Sequence, residues 1–239
     1  MKVLLVYAHP EPRSLNGALR DFAVAHLQAA GHEVQVSDLY AMGWKATLDA
    51  ADAPHLAPGE PFDAIADSQR AYARGEQPAD ITAEQAKLLW ADALILQFPL
   101  WWFSLPAILK GWVERVYACG FAYGVGEHSD HHWDDRYGEG TLAGKRALLV
   151  VTCGGWESHY SDRGINGGLD DILFPSSTAS SSIPASACCR RSRSIAPARW
   201  TRPPSSGCAR PMGHGWMGWP RTRPWRSGGR MARTTRYRR

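Results

Sequence analysis

Gln97-Phe98-Pro99-Leu100-Trp101-Trp102-Phe103-Ser104-Leu105-Pro106-Ala107-Ile108-Leu109-Lys110-Gly111-Trp112 is the stretch whose reading decides the fold. It starts as the end of an almost continuously apolar run, Ala93 to Phe98, the pattern of a strand buried on both faces. The run breaks at Pro99, three consecutive aromatics follow, and Pro106 opens a helix, where its missing N–H leaves no partner unsatisfied. Ile108, Leu109, Trp112, Val113 and Val116 then recur at helical spacing. An aromatic turn between a strand end and a helix start lies where open α/β sheets bind ligands. Three large rings there suit a flat, conjugated ligand. A hydrophobic turn packed on a partner chain would present the same residues.

The chain of 239 residues is long enough for a core of its own, as one large domain or one domain with an extension. No apolar run reaches membrane-spanning length, and Val3 to Ala8 is too short for a signal-peptide core, so the expected location is cytoplasmic, without membrane insertion. The cysteines at 119, 153, 188, 189 and 208 have no metal-ligand spacing. Of the 27 basic residues, 14 lie in 176–239, all arginine, whereas all 23 acidic residues precede Ser176; the first part therefore carries a net charge of −10. The second part also lacks Leu, Val, Phe, Asn and Gln. The two parts, 1–175 and 176–239, have to be read separately.

Lys2 to Ala8 reads as a buried strand that ends at His9-Pro10. Ser14 is a good helix N-cap, and Leu15, Leu19, Phe22, Ala23, His26 and Leu27 follow at helical spacing until Gly31. A strand, a turn and a helix start present free N–H groups and a positive dipole end, an anion site that His9, Arg13, Ser14 and Asn16 would flank. An ordinary capped helix has the same sequence. Neither GxGxxG nor a Walker sequence is present. Glu33 to Leu39 is a second strand, residues 41 to 80 a polar excursion with one short helix around Ile65 to Arg74, and Asp80 to Trp90 a helix leading into the third strand. After helix 105–118 and a loop from Gly120 to Gly144, Lys145 to Thr152 is the fourth strand, ending in Cys153-Gly154-Gly155. The order βαβαβαβ implies an α/β fold with a parallel sheet. Loops after the first, third and fourth strands each carry special residues, which fits one site at one sheet edge. The loop Gly126 to Asp135 holds His128, His131, His132 and carboxylates, ligand types for a metal; a solvated polar loop accounts for them as well, and no metal is assigned.

These motifs resemble a known family. QFPLWWFSLPAILKGWVERVY (97–117) is similar to the flavin-dependent NAD(P)H:quinone oxidoreductases of the DT-diaphorase type, supported by AHPEPRSLN (8–16), AYARGEQPADITAEQAKL (71–88) and TCGGWESHYSDRGINGGLDDILFP (152–175). The resemblance covers most of Met1 to Pro175 and implies a flavodoxin-like, doubly wound parallel sheet. It also implies a homodimer and a bound flavin, FAD with FMN as the alternative. By the same resemblance His9, Ser14, Leu15 and Asn16 would meet the pyrophosphate. Pro99, Leu100, Trp101, Trp102 and Phe103, together with Thr152, Cys153, Gly154 and Gly155, would hold the isoalloxazine. The implied reaction is ping-pong: NAD(P)H gives a hydride to the flavin, leaves, and a quinone takes it in the same pocket. Tyr160 and Asn166 would be catalytic, stabilising charge on the reduced flavin. Asn166 falls where the animal enzymes have histidine and cannot carry a proton as imidazolium does. Trp101 replaces a common glutamine and makes the pocket more apolar.

The resemblance stops at Pro175. There the family continues close to Ile-Gln-His-Gly-Ile-Leu-Phe-Tyr-Pro-Gly-Phe, but this chain reads Ser-Ser-Thr-Ala-Ser-Ser-Ser-Ile-Pro-Ala-Ser. Codons TCC AGC ACG GCA for Ser176 to Ala179, preceded by one A, regroup as ATC CAG CAC GGC, which is Ile-Gln-His-Gly. Ser180 to Arg191 and Arg226 to Arg239 regroup into family-like sequence in the same way, and the single-codon Trp200, Met212, Trp216, Met217 and Trp219 still give sensible residues. Residues 176–239 are therefore expected to be an out-of-frame, disordered translation, with the fifth strand and last helix of the sheet missing and with poor folding or weak flavin binding as the consequence. A genuine basic tail has the same composition. Two other functions remain open: a regulatory flavoprotein subunit of a bacterial potassium-efflux system, and a nucleic-acid binder using the tail's arginines with Trp200, Trp216, Trp219 and Trp225. The latter ranks last, and no specific nucleic-acid partner is expected.

Overall fold

The computed structural model describes residues 1–127, 129–131, 134–135, 139–179 and 192–196, with backbone alone for 177–179 and 192–196. Its elements run β1 (Lys2–Tyr7), α1 (Leu15–Ala29), β2 (Glu33–Asp38), α2 (Ala64–Arg74), α3 (Ala79–Trp90), β3 (Ala93–Pro99), α4 (Ala107–Val116), β4 (Arg146–Gly154), α5 (Leu169–Ala179) and β5 (Ser192–Ala196). Short 3-10 turns at Ala50–Asp52 and Glu157–Tyr160 complete them. The sheet order is β2-β1-β3-β4-β5, and every pairing is parallel. This is the doubly wound arrangement expected, and its chain reversal between β1 and β3 opens a crevice at their carboxyl ends.

The expected absence of a fifth strand is corrected: Ser192–Ala196 pairs with Val150 to Gly154 at the sheet edge. A parallel edge is recruited through main-chain N–H and C=O groups, so a segment outside the family's sequence pattern can occupy it. The expected absence of the last helix falls on residues outside those described, as do the tail tryptophans and His128, His132 and Trp133.

The inner strands β1, β3 and β4 are mostly apolar because both of their faces are covered. Leu4 and Val6 of β1 join Leu94, Leu96, Phe98, Leu149 and Val151 in a core closed by Ile81 and Leu88 of α3, Leu109, Trp112 and Val116 of α4, and Leu169 and Leu173 of α5. Val3, Leu5, Tyr7, Ile95 and Val150 face the other way, onto Ala23 and Leu27 of α1. Pro106 is the N-cap of α4 rather than its first helical residue, a one-residue shift of the kind expected at helix ends.

Two glycines fix close approaches. A Cβ at Gly17 would lie 1.8 Å from the Pro12 carbonyl oxygen, and one at Gly111 would lie 1.9 Å from that of Ala46. The first seats α1 on the turn after β1; the second seats α4 on the chain after β2. Beside Gly111, Arg115 is buried among Asp52, Asp80 and the Lys45 carbonyl, with its guanidinium over the Trp44 ring. The polar excursion is thus clamped to the helix that follows the aromatic turn.

Candidate functional site

The carboxyl ends of β1, β3 and β4 converge on one cleft of about 620 Å³. His9, Ser14, Leu15 and Asn16 line it from the first loop, Pro99 to Phe103 from the second, and Thr152, Cys153, Gly154 and Tyr160 from the third. Gly155 follows Gly154 at the rim with φ 98°. The residues singled out in sequence for a flavin are therefore brought together, apart from Asn166, which stands behind Tyr160.

The first loop is built by local capping. Ser14 Oγ accepts from the Gly17 N–H at 3.1 Å, and the N–H groups of Leu15 and Asn16 in the first turn have no intrahelical acceptor. With the helix dipole they favour an anion. His9 Nδ1 accepts from the Glu11 N–H at 3.1 Å, and its ring sits 5.8 Å from that of Trp101. Arg13, expected to flank a phosphate, instead forms an exposed pair with Glu11 at 3.0 Å. The two are neighbours on one turn and find each other before they find a ligand.

The second loop is a tight reversal. Trp101 and Ser104 form an antiparallel bridge, with the Ser104 N–H donating to the Trp101 carbonyl at 3.1 Å. Between them Trp102 and Phe103 take φ of 50° and 59°, the left-handed region that costs about 1–2 kcal/mol for a residue with a Cβ. Glycine or asparagine normally fills such positions. Trp102 is nevertheless 95% exposed and Phe103 50% exposed. Spending backbone strain to hold bulky rings in solvent makes little sense for stability, and such strain gathers at ligand sites. Leu100 N–H, donating to the Thr152 carbonyl at 2.8 Å, joins this loop to the third.

In the third loop the Tyr160 hydroxyl donates to the Gly154 carbonyl at 2.9 Å. Burial raises its pKa, the neighbouring Cys153 raises it further, and a hydrogen bond from Asn166 works the other way. The net rise keeps the phenol protonated and able to donate. Asn166 acts through Tyr160 rather than from the cleft wall, and its N–H holds the His159 carbonyl at 2.9 Å. Burial likewise raises the Cys153 thiol, so it lines the cleft as a neutral, weakly reactive group.

The sequence reading missed Gln97. It is fully buried in β3 and donates from Nε2 to the Asn16 carbonyl at 2.6 Å. Asn16 in turn donates from Nδ2 to Thr152 Oγ1 at 2.8 Å. A polar residue inside an otherwise apolar run was the available signal. Among the described residues no group of three or more His, Cys, Asp or Glu side chains could hold a metal, and no helix is long and apolar enough to cross a membrane.

Residues 1–183 match a family described as having a flavodoxin-like fold. The chain is 59% identical over 175 residues to a ribosyldihydronicotinamide dehydrogenase-like protein of Penicillium crustosum, covering 73% of this chain and 66% of that one. It is 44% identical over 175 residues to the human ribosyldihydronicotinamide dehydrogenase [quinone], covering 73% and 72%. A crystal structure of a Klebsiella pneumoniae protein, provisionally identified as a quinone reductase, superposes with a TM-score of 0.74 at 64% identity, covering 82% of this chain and 73% of that one. The chain thus spans about two thirds to three quarters of the length of these relatives.

Proposed function

The chain belongs to the flavodoxin-like NAD(P)H:quinone oxidoreductase family, and from that membership we propose that its cleft binds a flavin, FAD in the first instance, and reduces quinones at the expense of NAD(P)H. The observation that carries the proposal is the strained aromatic turn. Trp102 and Phe103, left-handed and exposed, are held open at the mouth of a cleft whose other end is the first turn of α1. The residues present fit the group: N–H donors and a helix dipole for phosphate, flat rings for an isoalloxazine, and backbone of β4 for its polar edge. When bound, flavin supplies two-electron chemistry, accepting hydride from the nicotinamide and passing it on to the quinone, which takes up a proton to give the hydroquinone.

The protein's part is orientation and charge. His9, Ser14, Leu15 and Asn16 would bind the phosphates; Pro99 to Phe103 and Thr152 to Gly155 would hold the ring system and exclude water from one side. Tyr160, kept protonated by burial, would direct its O–H hydrogen bond to negative charge near the ring once it leaves the Gly154 carbonyl. Asn166 would hold that phenol in place. We include a homodimer in the proposal, since the large exposed rings of Trp102 and Trp156 border the cleft loops. We also infer that residues 176–239 are read out of frame. The alignments with relatives extend over 175 residues, the length of the chain before its composition changes.

The test is titration of the purified full chain with FAD and FMN, followed by anaerobic NADH or NADPH and then a quinone. Saturable flavin binding, bleaching of the flavin absorbance by NAD(P)H and its return with quinone are expected. A chain that is folded by circular dichroism but leaves both flavins in free solution would refute the reading.

A further inference from the structure

Gln97 stands apart from the rest of its strand. It is a fully buried polar side chain in a run of apolar ones, and its carbonyl already serves the sheet by accepting from the Ala8 N–H at 3.0 Å. Its amide reaches across to the carbonyl of Asn16, at 2.6 Å, in the first turn of α1. From there the Asn16 side chain reaches Thr152 at 2.8 Å, at the carboxyl end of β4. Three segments distant in sequence, the α1 start, the end of β3 and the end of β4, are tied by two hydrogen bonds. Both bonds are shielded from water: Asn16 is 4% exposed and Thr152 8%. The remaining acceptors, Asn16 Oδ1 and Gln97 Oε1, are buried without a partner among the described residues. A buried acceptor left unsatisfied costs about 1–3 kcal/mol, so this network is retained against its own cost. Packing alone would be better served by leucine at position 97, as in the neighbouring core.

We propose that Gln97 is a positioning residue for the phosphate end of the cleft. By holding the Asn16 carbonyl it sets the roll of the first turn of α1, and with it the direction of the Leu15 and Asn16 N–H groups. Through Asn16 it also fixes that turn relative to Thr152, so the phosphate end and the ring end form one rigid frame. The inference rests on the flavin reading above. It adds that the frame is set by a residue that lies outside the cleft lining and acts through Asn16.

The test compares two ligands that share the ring system and differ in phosphate, FMN and riboflavin, by fluorescence quenching of the unmodified chain and of Gln97→Leu and Gln97→Met. Losing one oriented hydrogen bond is expected to weaken FMN binding about tenfold, while riboflavin affinity changes less than twofold. Gln97→Met keeps the length of the side chain, and its thioether has no proton to donate to the Asn16 carbonyl. It carries the same expectation and stands in if Gln97→Leu does not fold. Equal losses for both ligands would make Gln97 a general packing residue and overturn the inference, as would unchanged FMN affinity in both variants. An unmodified chain that binds neither ligand would overturn the flavin reading together with the inference; normal binding by the unmodified chain with no FMN-specific loss overturns the inference alone.

Discussion

Replacing Arg115 by methionine removes the guanidinium that clamps the polar excursion to α4. Its side chain is 1% exposed and that of Asp52 5%. The substitution breaks the hydrogen bonds from Nη2 to Asp52 at 2.8 Å, from Nη1 to Asp80 at 2.7 Å and from Nη1 to the Lys45 carbonyl at 2.9 Å. Removing one partner of a buried pair costs about 3–5 kcal/mol, because the other charge is stranded. Two features favour the lower end. Lys45 still reaches Asp52 at 3.2 Å, and the Asp80 side chain is 40% exposed, so water can solvate it. We expect a loss of about 3 kcal/mol. At a urea m-value of about 2 kcal/mol/M this lowers the unfolding midpoint by about 1.5 M. Arg115→Met combined with Asp52→Asn should recover at least about 1 kcal/mol of that loss, since the buried Asp52 carboxylate, left with Lys45 as its one cation, is then removed. A loss under about 1 kcal/mol in the single variant, or a double variant no more stable than the single, would refute the reasoning.

Other perturbations probe the site and its support. Gly17→Ala puts a Cβ 1.8 Å from the Pro12 carbonyl oxygen; overpacking of about 1–3 kcal/mol should exceed the gain in helix propensity of up to about 1 kcal/mol, so the melting temperature and FMN affinity should both fall. Tyr160→Phe removes the donor at the ring end and should slow flavin reduction by NAD(P)H about tenfold with flavin content unchanged, read by stopped-flow absorbance. Burial pushes the Asp80 carboxyl up, but the hydrogen bond and charge of Arg115 outweigh it and leave its pKa below the ordinary value. A depressed folded-state pKa stabilises above the unfolded value of about 4 and is lost as pH falls through the folded one. The urea midpoint should therefore drop on acidification below about pH 4, with a shallower drop in Arg115→Met.

Much of the fold was legible because its inner strands are buried on both faces and its helices are amphipathic. Ala93 to Phe98 can hardly be anything but an inner strand, and Ser14 and Gly31 punctuate α1 as capping chemistry predicts. What stayed hidden depended on partners distant in sequence. Arg115 reads as a surface charge on α4, and only the fold brings Asp52, 63 residues away, against it. Gln97 meets Asn16 across 81 residues. The left-handed turn at Trp102 and Phe103 contains no glycine or asparagine, so turn propensities could not announce it. Arg13 misled in the opposite sense, because its basic charge suited a phosphate while Glu11, two residues away, was the nearer partner.

The sheet itself offers a test of the out-of-frame proposal. The face made by Val3, Leu5, Tyr7, Ile95 and Val150 is packed by α1, among the described residues, through Ala23 and Leu27. α1 follows β1, on the far side of β3 from β4, and Leu148 of β4 is only half-buried against that cluster. In a doubly wound sheet the helix after the fifth strand returns over this side. Restoring one base ahead of the Ser176 codon should supply family-like sequence for that helix and bury Leu148 more fully. Complete burial of a leucine is worth about 1.5–3 kcal/mol, so even part of it is measurable. The restored chain should therefore melt several degrees higher than the chain as given and retain more flavin through gel filtration. An unchanged melting temperature and flavin content would mean that Ser176 to Arg239 already complete the sheet, and the frame proposal would fall.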